Sequence, residues 1–248
     1  MDKRNVKNSE RSGANISRIH RIGGFTALLT VAVAFAEGAI NFLPGGSGPT
    51  ETVLDWFALL QSNWFMGIRN LGFMNLFMVA LGIPMYFALY TAHRKVDKEF
   101  AALAMIVSFV GGAIFFATNW AFSLLELSRL HAQAATDAQR ALFEAAGQAL
   151  LSVGRSHCPG TFVGFFFGDL AGILMFVVML RGEIFSKGTA LAGIGGFSLL
   201  LIYEVFISFI PALGGVAMIF AMCGLLLNLI WMVALGLRFF RLVREGVS

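Results

Sequence analysis

Charge is what this sequence has least of. Only 13% of its 248 residues are Asp, Glu, Lys or Arg, about half the ~25% usual in soluble domains. With 58% hydrophobic residues and a mean hydropathy of +0.78, this shortage excludes a soluble globular fold. It excludes a disordered chain for the same reason, since disorder needs high charge and few apolar groups. Cysteine is scarce too. Cys158 falls near one membrane face and Cys223 inside an apolar run, so no disulfide is expected, and no zinc or redox spacing exists. His20, His93, His131 and His157 all lie outside or at the ends of apolar runs, which argues against a bis-histidine haem inside a bundle. His20 and His131 are expected in solvated, charge-rich segments. No His-Glu-x-x-His, Gly-x-Ser-x-Gly, Walker or dinucleotide pattern occurs, and no solenoid-period repeat. No catalytic residue, metal ligand or cofactor is therefore assigned, and an enzyme is the less favoured class.

What the sequence has is long apolar stretches. A spanning helix needs about 20 mainly apolar residues, and six segments supply them: 22–43, 71–92, 100–125, 160–180, 189–210 and 216–237. Hydrocarbon tolerates only helices or closed barrels, and continuous apolarity does not fit the alternation of a barrel strand. The expected fold is all-α, a polytopic bundle of six transmembrane helices flanked by basic tails at 1–21 and 238–248. With six crossings, Lys3, Arg4, Lys7, Arg11, Arg18, Arg21, Arg94, Lys95, Lys98, Arg181, Lys187, Arg238, Arg241 and Arg244 share one side. Arg69, Arg129, Arg140 and Arg155 are left for the other. The positive-inside rule puts both termini in the cytoplasm and the protein in the cytoplasmic membrane. The net charge of +4 then points to anionic lipid headgroups as partner rather than nucleic acid. A homo-oligomer or other membrane subunits are the further partners to expect. The basic start followed by Ala34-Phe35-Ala36 has the form of a cleavable signal, but the apolar run continues to Leu43, so the segment is read as a retained helix.

Two connections on the less basic side are long. Residues 44–49 read Pro-Gly-Gly-Ser-Gly-Pro, a turn-forming run. The following stretch 51–66, with Trp56 and Trp64, suits either a helix in the headgroup region or a segment folded over the bundle mouth. Thr136-Asp137-Ala138-Gln139 matches a capping box, and a surface helix is expected over 138–153. Arg155, His157 and Cys158 form a polar cluster at that mouth; adjacent Cys and His do not by themselves make a nucleophilic pair.

The chemistry is carried by polar residues within the spans: Glu37, Asp169 and Glu204, with Asn41, Asn75, Asn119 and Asn228. Charged groups near the bilayer centre cost about 2.5–3.5 kcal/mol on insertion scales. No Lys or Arg falls deep in any span, so the three acids are expected to lack a base of their own. At 1.5 Å per residue, Asp169 and Asn228 lie near the midplane, and Glu37, Glu204, Asn41, Asn75 and Asn119 in the half away from the basic side. This asymmetry predicts an outward-facing polar pocket for a small ligand, cation or proton, at Glu37, Asp169, Glu204, Asn75, Asn119 and Asn228. The competing reading is that each acid is a hydrogen-bonded group joining helices, worth about 0.6–2 kcal/mol. Gly160, Gly164, Gly168 and Gly172 recur every four residues and predict a face for close helix packing. Pro84 marks a kink site in the second span.

The order of short features is also familiar. Arg21-Ile22-Gly23-Gly24 opens the first span, and Tyr86-Phe87-Ala88-Leu89-Tyr90 leads into Arg94-Lys95-Val96-Asp97-Lys98. Met179-Leu180-Arg181 ends the fourth span; Trp231 and Gly236 precede the last basic tail. In this order they resemble a bacterial six-helix integral membrane family of unknown function, over most of the chain. The resemblance implies a fold and brings no activity or site residue with it. Asp169 and Glu204 make these spans more acidic than it implies. Three functional classes follow: a pocket-bearing binding protein, with transport as its sharper form; a structural or assembly subunit; and a membrane-embedded enzyme using a carboxylate as acid or base.

Overall fold

The computed structural model describes residues 3–40 and 50–246. Asn41 and the Pro-Gly-Gly-Ser-Gly-Pro run lie outside the described residues. Six helical stretches are long and apolar enough to cross a membrane. They comprise α1 (Lys3–Ile40), α4 (Phe73–His93), α5 (Lys98–Thr118) continued by α6 (Ala121–Gln133), α8 (Phe162–Arg181), α9 (Lys187–Phe209) and α10 (Gly214–Glu245). The short helices α2 (Val53–Ser62) and α3 (Trp64–Asn70), with α7 (Asp137–Gly154), fill the long connections. A 3-10 turn over Pro211–Leu213 links α9 to α10.

The six long helices form a ring in chain order. Each packs against its sequence neighbour, and α10 returns to α1. Short connections favour such antiparallel neighbours. The ring closes where small residues let backbones meet: a Cβ on Gly24 of α1 would lie 3.1 Å from the Gly236 carbonyl oxygen of α10, and the converse distance is also 3.1 Å. Inside, Trp231 is fully buried against the rings of Phe176 and Phe197, 4.6 and 5.7 Å away. The tails, the 94–97 turn and the 182–186 turn share one end, the basic end; α2, α3, α6 and α7 cap the other.

The third span departs from the expected continuous 100–125 helix. It stops at Thr118 because the Asn119 side chain competes for backbone groups. Asn119 Oδ1 accepts from the Ala121 amide (3.3 Å), while Nδ2 donates to the Leu71 carbonyl (3.0 Å). Beyond this break α6 belongs to the cap. Trp56, Phe57 and Leu60 of α2 bury with Ile68 and Leu124 in a second apolar core, so the 51–66 stretch folds over the mouth. Ser128 Oγ donates to the Phe57 carbonyl, and Gln61 Nε2 to that of Ser128. Both predicted and unpredicted capping boxes form. Thr136 caps α7 with Gln139, and Thr52 caps α2 with Asp55. Hydrogen bonds from the Thr52 backbone and then its hydroxyl hold the Asp55 carboxyl below the usual carboxylate range.

His20 corrects an expectation. It is only 4% exposed, tilted against Phe239 at 5.4 Å, because α1 continues as one helix from the basic tail into the bundle. His93 is fully buried; its Nδ1 lies 2.9 Å from the Leu89 carbonyl oxygen, and its ring stacks on Phe185.

The predicted glycine stripe is used unevenly. A Cβ at Gly160 would strike the Val153 backbone at 2.3 Å, and one at Gly172 the Phe197 ring at 2.3 Å. Gly164 lies against Phe115 at 3.2 Å. Gly168 has open space. Across the same seam, a Cβ at Gly111 of α5 would meet Gly164 and Gly168 backbone atoms at 3.0 Å. Gly111→Leu must therefore part α5 from α8. Unfolding in detergent should show a loss of about 1–3 kcal/mol, whereas Gly215→Ala, with nothing within 4 Å, should leave stability unchanged.

Candidate functional site

In the half of the bundle next to the cap, α4, α5 and α8, with Thr30 of α1, Phe197 of α9 and Met232 of α10, line a cavity of about 240 Å³. Its walls are mainly apolar, with Met78, Val79, Phe115 and Phe197 among them. Asp169 and Tyr86 supply its deepest polar groups. Asp169 is 7% exposed and Tyr86 6%. No described residue hydrogen-bonds to Asp169, and the buried Tyr86 hydroxyl has no partner either. The phenol lies close enough to feel the charge of Asp169. Asn75, Ser108 and Thr30 complete the polar lining. Buried polar groups are nearly always hydrogen-bonded, so two unsatisfied ones on one cavity mark it out.

A second polar cluster sits toward the cap. Glu204 of α9 is 3% exposed, and its Oε1 lies 2.6 Å from His157 Nδ1. The pair is ionic when the imidazole is protonated. His157 reaches it from the turn ahead of α8, with φ at 55°, the one non-glycine residue in the left-handed region among those described. Such a conformation costs about 1–3 kcal/mol and needs surrounding contacts to hold it. Here those contacts are Glu204, Phe165 stacked at 4.4 Å and Tyr203 edge-on at 5.1 Å. Phe165 also lines the cavity, so it separates the pair from the open space. Cys158 is not the partner of His157; its Sγ lies 3.8 Å from the Ser152 carbonyl.

The third acid is elsewhere. Glu37 Oε1 lies 2.9 Å from Arg69 Nη2, and the same nitrogen donates to the Glu37 carbonyl at 3.0 Å. Arg69, at the end of α3, is 8% exposed.

Comparison with known proteins agrees with this architecture. The family described as "Domain of unknown function (DUF4386)" matches residues 22–236. The chain belongs to the DUF4386 family. No curated protein and no solved structure matches it. It is an integral membrane protein, and family membership brings no activity with it.

Within the DUF4386 bundle the predicted residues divide. Asp169 and Asn75 line the cavity, and Asn75 Nδ2 also donates to Ser156 Oγ. Glu204 stands behind them. Glu37, Asn119 and Asn228 do not line it. Asn119 makes the α5 break, and Asn228 accepts from Trp231 Nε1 at 2.5 Å while donating to the Gly224 carbonyl. The expectation that the acids have no base is corrected for two of them. Arg69 and His157 lie in segments too polar to count as spans, yet the chain folds them inward onto Glu37 and Glu204. The sequence reading also missed Tyr86 as a site residue; its position deeper in the apolar span than Tyr90 was the available signal. Arg69→Met should cost about 1–3 kcal/mol in detergent unfolding, since a buried partner loses its hydrogen bonds. The combined Glu37→Gln, Arg69→Met variant should lose less than the two single losses added together.

Proposed function

We propose that the protein is a multi-pass binding protein of the cytoplasmic membrane, with its basic end and both termini inside. Its cavity takes a small ligand, cation or proton at Asp169 and Tyr86, and transport is the sharper form of the same reading. One observation carries this: a carboxyl and a phenol, both more than nine-tenths buried and neither hydrogen-bonded, share one cavity. An acid kept only to join elements would have a partner on another one, as Glu204 has in His157. The orientation is supported by the lysine and arginine bias between the two ends. The glycine stripe lends the scaffold reading nothing, since Gly160, Gly164 and Gly172 are spent on contacts within the chain.

The test is the sign of a stability change. An uncompensated buried polar group lowers stability by about 1–3 kcal/mol. Asp169→Leu in ligand-free protein should therefore raise the unfolding midpoint. A lowered midpoint would show that Asp169 holds helices together, and the binding reading would fail.

A further inference from the structure

Resting on the cavity reading above, we infer that the ligand is a membrane-dissolved amphiphile with a single cationic head, an alkylammonium, which enters from the lipid between α4 and α5 and sets its head against Asp169.

The sign of the head follows from the walls. Among the described residues, no Lys, Arg or His lines the cavity. Asp169 does. An anion would meet repulsion from the Asp169 carboxylate at low dielectric with no cationic side chain on the described lining to offset it. A bare divalent cation fits less well, because hard cations take six or more oxygens and, beside Asp169 and Tyr86, the lining offers only the neutral oxygens of Asn75, Ser108 and Thr30 among its Met, Val, Ile and Phe side chains. An ammonium needs less: one charge-assisted hydrogen bond to a carboxyl and aromatic faces for the rest of its charge. Phe115, Phe165, Phe197 and the Tyr86 ring line the space.

The apolar chain follows from size and position. The cavity, about 240 Å³, is larger than the ~150 Å³ that takes benzene and smaller than the ~300 Å³ at which drug-sized pockets begin. It holds a head and the first few carbons, so a longer chain must leave through an opening. That opening is the α4–α5 seam, the loosest between neighbours in the ring. Gly82 and Ile83 of α4 line the cavity, Ile83 is 42% exposed on the lipid side, and no atom lies within 4 Å of a Cβ at Gly82. Gly168 gives the same open space on the inner wall. Two glycines without packing partners therefore line this one cavity, Gly82 on α4 and Gly168 on α8 beside Asp169.

The test uses the full chain in phosphatidylcholine nanodiscs with three probes of equal chain length: decylammonium, decanol and decanoate. Binding is read from the unfolding midpoint as each probe is titrated. Decylammonium should bind at least tenfold more tightly than decanol, and decanoate should not bind. Asp169→Asn should remove the preference for decylammonium. A Cβ at Gly168 meets no atom within 4 Å, so Gly168→Leu is expected to fold, and it should abolish binding of decylammonium and decanol alike. Decanol or decanoate binding as tightly as decylammonium, and lost in Gly168→Leu, would overturn the cationic head and leave the cavity reading standing. Binding that survives Gly168→Leu would overturn the route and the site. No binding by any probe would overturn the inference; the Asp169→Leu stability measurement then decides the cavity reading separately.

Discussion

A carboxyl group in hydrocarbon must find a partner, and this requirement shapes the molecule. Glu37 and Glu204 obtain theirs from outside the spans. Arg69 arrives on α3 and His157 on the turn before α8. Each pairing fastens a connecting segment to the bundle, so the cap is held by buried polar contacts as well as by its own apolar core. The left-handed backbone at His157 shows how far the chain is bent to make one of them. Asp169 is the acid for which no such segment is supplied.

The packing explains why Asp169 can remain without a partner. Most of the ring is drawn tight by small residues, as at Gly24 and Gly236 or at Gly111 against α8. Tight packing normally leaves few voids larger than a water molecule. Gly82 and Gly168 break that pattern by leaving space where a side chain would sit. The space opens beside Asp169 and Tyr86. A void and two unsatisfied polar groups are each costly alone. The proposed ligand would fill the void and satisfy the groups together.

The sequence made the spans legible because apolar length is a local property. The Thr136 capping box and the three acids were legible for the same reason. What each acid touches was not. The partner of Glu37 is 32 residues away and that of Glu204 is 47 away, in connections whose polarity says only that they are outside the hydrocarbon. Asn119 reads as another intramembrane amide until its side chain is seen to end the helix. His20 reads as solvated because its neighbours are basic, although its own face of α1 turns inward. Facing direction and long-range pairing decide which polar residue serves structure and which is left free, and neither is written in hydropathy.

The central claim is that Asp169 alone among the intramembrane acids is unpaired and reachable from lipid. Treating the membrane-embedded protein with a lipid-soluble carbodiimide and locating the adduct by peptide mass spectrometry tests it most directly. The account predicts modification at Asp169, with Glu37 and Glu204 protected by Arg69 and His157. Adducts on Glu37 or Glu204 with Asp169 unmodified would contradict it.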